Sequence, residues 1–83
     1  MKYGIYAIRD RKIGFGNPFY QHNDEVCLRT AKTALQKPED NAFNMNPEDK
    51  ELYKLGTFDD QDGKIKVENK MLCNLYQLKQ EIN

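Results

Sequence analysis

Tryptophan is absent from the 83 residues, histidine occurs once, as His22, and cysteine twice, as Cys27 and Cys73. So small a set of ligands, with no Cys-x-x-Cys spacing, does not assemble a zinc site. A lone histidine beside Asn23 and Asp24 suits a helix start better than general-base work, and Cys27 has no orienting third group. No apolar run approaches the roughly 20 residues that span a bilayer, and the opening MKYGIYAIRD lacks a hydrophobic stretch followed by a small-residue cleavage site. A soluble, intracellular, non-enzymatic chain without cofactor or membrane contact is the expectation, with two reduced, part-buried thiols rather than a disulfide.

Net charge is also lacking: 13 basic residues balance 13 acids. The balance is uneven along the chain. Residues 1–37 carry seven basic side chains (Lys2, Arg9, Arg11, Lys12, Arg29, Lys32, Lys37) against Asp10, Asp24 and Glu25, giving +4, and the remainder carries −4. A basic half facing a polyanion, or head-to-tail self-association, is consistent with this split. Neutrality overall argues against tight, sequence-independent nucleic-acid binding, which rests on many phosphate contacts.

A chain of this length makes one domain, residues 1–83, with a thin core. KYGIYAI is rich in β-branched and aromatic residues on both faces and predicts a central strand, followed by a turn at Arg9-Asp-Arg-Lys12 and an extended IGFGNPF ending at Pro18. Asn23 or Asp24 caps a helix that runs to about Gln36, where Pro38 stops it; Cys27, Leu28, Ala31, Ala34 and Leu35 share its apolar arc. Two Pro-Glu-Asp turns lie in the loop that follows, the second capped by Asn46, with Phe43 and Met45 anchoring the loop on the core. ELYKLGTF and KIKVE read as a hairpin, with Ile65 and Val67 on its apolar side, and Asn74 caps a closing helix whose Leu75, Leu78 and Ile82 point inward. The fold class is α+β: a small antiparallel sheet of about four strands built from two hairpins, order β-β-α-loop-β-β-α, with the helices on one face.

The turn LGTFDDQDGKIKV resembles a calcium loop only in part. With Gly63 at the sixth position, Asp60 and Asp62 fall at the third and fifth, but Phe58 stands first and Asn69 twelfth, so the first and the closing bidentate ligands are missing. Turn chemistry accounts for the same residues, since Asp hydrogen-bonds its own backbone and Gly63 accepts a positive φ. Surface recognition remains. Tyr3, Tyr6, Phe15, Phe19, Tyr20, Tyr53 and Phe58 lie on or beside strands, and at least four of the seven are expected in the core. Aromatic platforms flanked by basic side chains hold single-stranded nucleic acid.

Tyr6-Ala7-Ile8-Arg9-Asp10, Pro18-Phe19, the Asn23-Asp24-Glu25 helix start with Arg29, and Asn46-Pro-Glu-Asp49, Leu52-Tyr53, Gly56-Thr-Phe-Asp-Asp60 and Gly63 together resemble the small nonstructural protein of gokushoviruses, single-stranded DNA bacteriophages of the microvirus family. The resemblance implies a viral protein of the host bacterial cytoplasm acting in single-stranded genome replication or its coupling to packaging, with no catalytic residues. Tyr6, Arg9, Arg11, Lys12, Phe15, Arg29 and Lys32 are the candidate contacts to single-stranded DNA, chosen from charge and pattern. The alternative is a protein-interaction module for assembly, scaffolding or packaging, contacting viral or host proteins or a second copy through Asp59, Asp60 and Asp62.

Overall fold

The computed structural model describes residues 1–82. Strand β1 (Lys2–Asp10) is followed by two short strands, β2 (Gly14–Phe15) and β3 (Phe19–Gln21), then helix α1 (Asp24–Gln36), a 3-10 turn (Pro47–Asp49), the long hairpin β4 (Lys50–Asp59) and β5 (Ile65–Asn74), and helix α2 (Leu75–Ile82). All pairings are antiparallel. β2 and β3 pair in turn with the two ends of β1, so they act as one broken edge strand. The sheet therefore runs β2/β3, β1, β4, β5, with β1 internal and β5 at the far edge.

The expected order holds, and the local chemistry explains it. Asn23 is extended and its Oδ1 accepts the Val26 amide at 2.9 Å, opening α1. Lys37 returns to extended geometry before Pro38 and closes it. Asn74 Oδ1 accepts the amides of Tyr76 and Gln77 at 2.9 and 3.2 Å, opening α2. β1 extends through Arg9 and Asp10 rather than turning there, because Arg9 pairs across the ladder with Glu51 and Asp10 with Lys50. Of the two Pro-Glu-Asp segments only the second forms a helical turn. Asn46 enters that turn in the left-handed region, φ 52°, without a side-chain capping bond. The loop before it is closed instead by Asn41 and Asn44, whose side-chain amides donate to Ala34 and Glu39 carbonyls at 2.9 and 2.8 Å. Phe43 packs against Phe19, ring centroids 6.2 Å apart, whereas Met45 stays exposed.

Register decides the faces. Ile8 pairs with Leu52 and Tyr6 with Lys54, placing these side chains on one side of the sheet. Both helices pack there: Tyr6, Ile8 and Leu52 form one buried cluster with Cys27, Ala31 and Leu35 of α1 and Leu75 and Leu78 of α2. The opposite face takes Tyr3, Ile5, Ala7 and Arg9 of β1 with their partners Phe58, Tyr20, Tyr53 and Phe15. Nothing among the described residues covers it.

Two sequence expectations are corrected here. Ile65 and Val67 alternate with lysines as expected, but they pair with Phe58 and Gly56 on the uncovered face and are 61% and 79% exposed. Most of the seven strand aromatics also lie outside the core. Only Tyr6 is fully buried, and Phe19 packs beside it. Thirteen helical residues in α1 and eight in α2 suffice to cover one face of ten-residue strands, and nothing is left for the other.

Gly56 marks a close approach of β4 to β5: a Cβ there would run into the Lys66 carbonyl oxygen. The register shifts at the neighbouring Leu55, which has no partner on either side.

Urea unfolding separates the two faces. Leu52→Ala, on the covered face, is expected to cost about 2–5 kcal/mol, whereas Val67→Ala, on the open one, should stay within about 0.5 kcal/mol. Gly56→Ala overpacks the hairpin and should cost about 1–3 kcal/mol.

Candidate nucleic-acid interface

Two aromatic stations stand on the open face. Tyr3 and Tyr20 meet edge to face, centroids 5.9 Å apart, beside a groove of about 500 Å³ lined also by Ile5, Pro18 and Phe58. Phe15 and Tyr53 meet edge to face at 5.2 Å, and the Arg9 guanidinium lies 6.0 Å from the Tyr53 ring. Tyr20 is 71% exposed and Phe15 48%, so each station offers a ring to solvent. Tyr20 is registered on Ile5 and Phe15 on Arg9, so the stations are four residues apart along β1, roughly 13 Å.

The structure distributes the sequence-chosen residues unevenly. Arg9 and Phe15 join the open face. Arg11 and Lys12 stand at the adjoining β1–β2 turn, Arg11 donating to the Glu48 carbonyl and Lys12 lying 3.5 Å from Asp49. Arg29 and Lys32 are exposed on α1, on the other side of the sheet. Tyr6 is corrected outright as a contact: it is 0% exposed beneath α1 and has no ring face to offer a base. Arg9 is not a free cation either, since its Nη1 donates to Glu51 Oε1 at 2.9 Å. The +4 of residues 1–37 thus does not gather into one basic patch.

Sequence reasoning missed Tyr3, Tyr20, Tyr53 and Phe58, which it assigned to the core or left among stranded aromatics. The signal that finds them is supply: two amphipathic helices bring too little apolar surface to cover both faces of a sheet with this many large side chains.

The acids of the β4–β5 turn are occupied within the chain. Asp59 Oδ1 accepts the Gln61 amide and Asp62 Oδ1 the Lys64 amide, both at 2.9 Å, while Gly63, at φ 75°, donates to the Asp59 carbonyl. Asp60 meets the N-terminal ammonium at 2.5 Å, and that hydrogen bond holds its carboxyl below the usual range. Turn hydrogen bonds thus engage Asp59 and Asp62 and the terminal ammonium offsets Asp60, while the charges of Asp59 and Asp62 remain.

A family model described as Phage ORF5 protein matches residues 3–78. The chain belongs to the phage ORF5 protein family. Searches among curated proteins and among solved structures return no match. The family match runs from β1 through both hairpins and α1 into the first half of α2, so the open face lies within the part of this phage ORF5 chain that the family defines.

On the covered side of this phage protein, burial pushes both thiols up, Cys27 to about 12 and Cys73 to about 11, so neither is a thiolate at neutral pH. The polar feature there is a bridge. Tyr6 Oη donates to Asp24 Oδ1 at 2.7 Å, and Lys54 Nζ lies 3.0 Å from the same oxygen. Lys54 also comes within 3.9 Å of Glu68, which accepts the Thr57 hydroxyl. Partial burial by itself would raise the Asp24 carboxyl, but the Tyr6 and Lys54 hydrogen bonds prevail and lower it. A carboxyl depressed in the folded state contributes stability above its unfolded pKa, and the contribution fades as pH falls through the folded value. Stability should therefore drop as pH falls below about 4, and Asp24→Asn should flatten that part of the curve. An unchanged acid profile in urea titrations of the variant would exclude the bridge as its source.

Proposed function

We propose that this phage ORF5 protein is a gokushovirus nonstructural protein that binds single-stranded DNA non-enzymatically during genome replication, in the cytoplasm of the bacterial host. The observation that carries the reading is the uncovered sheet face with its two aromatic stations. Every nucleobase has a π-face, so exposed rings accept a strand without regard to sequence, at roughly 1–3 kcal/mol per stacked base. Base pairing withholds those faces in a duplex, and a single nucleotide cannot reach both stations. An extended strand of several nucleotides fits the spacing, with Arg11 and Lys12 beside the Phe15 end for its phosphates and Arg9 joining them only by exchanging its Glu51 bond.

The phosphate share is small. Three cations on a single strand give a slope of log K against log salt of about −2 at most. Affinity is therefore modest and governed by stacking, which agrees with a net charge of zero.

Anisotropy with a labelled oligothymidylate across a salt series checks this. Binding should appear at low salt with that shallow slope, duplex of the same length should compete poorly, and Phe15→Ala and Tyr20→Ala should each weaken binding by about 1–3 kcal/mol. Both side chains are exposed, so the fold survives the changes. Binding that ignores both substitutions, or no binding at low salt, removes the proposal.

A further inference from the structure

β5 is the free edge of the sheet. Its inner side is bonded to β4, and no strand lies beyond it among the described residues. Between the Gly63 turn and Asn69, which enters the left-handed region at φ 49°, the strand is uninterrupted from Ile65 to Glu68. Unpaired amide and carbonyl groups along such a segment are a template for another strand. Chains commonly blunt an edge of this kind with lysine, and Lys64, Lys66 and Lys70 do repel an arbitrary partner. Yet on the open face Ile65 is 61% exposed and Val67 79%, an apolar pair that an edge held only in water has no reason to carry.

We infer that β5 pairs with β5 of a second copy of this chain, antiparallel about a two-fold axis at Lys66, joining two sheets into one. The register follows from self-complementarity. With the axis at Ile65, Lys64 faces Lys66 of the second copy; at Glu68, Lys66 faces Lys70; at Val67, the gain of Lys66 facing Glu68 is offset by Lys64 facing Lys70, and Ile65 faces the left-handed Asn69. With the axis at Lys66, Ile65 faces Val67 of the second copy twice over on the open face, and on the covered face Lys64 faces Glu68 of the second copy twice over. Directly opposed apolar and opposite-charge pairs stabilise a ladder, and these four outweigh the single Lys66 repulsion on the axis. The lysines then act as a selector: they reject strands that lack an acid in the matching place, which Glu68 supplies through the oxygen that does not hold the Thr57 hydroxyl.

The two open faces become coplanar and continuous in this dimer, so a strand of DNA held on one copy raises the effective concentration of the other copy's stations. The pairing itself needs no DNA, so its test stands apart from the DNA reading. Sedimentation velocity of the DNA-free protein over a concentration series should show a mass moving from 9.8 kDa to twice that value. Val67→Lys should hold the chain monomeric with an unchanged circular dichroism spectrum, because that side chain is outside the core. Lys64→Glu, which sets acid against Glu68, should weaken the dimer roughly tenfold. In the unmodified protein, exchange protection of the edge-facing amides of Ile65 and Val67 should rise with concentration, while that of Lys66, on the β4 side, should not. A monomer at every concentration up to millimolar overturns the inference, and so does a dimer that survives Val67→Lys, whichever surface then holds it.

Discussion

The Tyr6 hydroxyl donates to Asp24 in the first turn of α1, and the same carboxylate oxygen meets Lys54 on β4, so three side chains tie the helix to two adjacent strands. Below this bridge the Tyr6 ring, Ile8 and Leu52 meet Cys27, Ala31 and Leu35. The bridge fixes where α1 sits, and the cluster fixes which face it covers. Since α2 joins the same cluster, every covering element among the described residues lies on one side. The exposure of the other side is a consequence of this commitment rather than a separate feature.

That consequence carries the functional reading. A sheet with one wet face ordinarily turns polar side chains to water. Here the wet face holds Tyr3, Phe15, Tyr20, Tyr53 and Phe58, with Arg9 bound to Glu51 among them. An apolar, aromatic, nearly uncharged surface favours stacking over phosphate neutralisation. The edge beside it continues the same surface through Ile65, Val67 and Met71. Stacking on the rings and pairing along the edge use different groups, so both can operate in one assembly.

Much of the fold was legible. Asn23, Pro38 and Asn74 act through local rules, and the apolar arc of α1 has a period that only a helix satisfies. The strand order along the chain and the placement of both helices on one face followed from pattern. The direction in which a strand turns its apolar side did not. Alternation groups Ile65 with Val67, but which face they join depends on bulges at Leu55 and Asn69 and on register with β4. Alternation likewise sets Tyr3 and Tyr6 on opposite faces, but which of the two faces the helices cover is decided by packing. Asn41 and Asn44 left no pattern either, because their bonds reach back to α1 across an irregular loop. The turn acids act as turn formers, as their pattern indicated, and the N-terminus offsets the charge of one of the three, Asp60.

The central claim is that recognition happens on the uncovered face. Side-chain-resolved NMR during titration with a single-stranded oligonucleotide addresses it directly, because the two faces carry different residues. The account predicts shifts concentrated on the rings of Tyr3, Phe15, Tyr20, Tyr53 and Phe58, with α1 undisturbed. Shifts centred on Arg29 and Lys32 of α1, with the open-face rings unmoved, would contradict it.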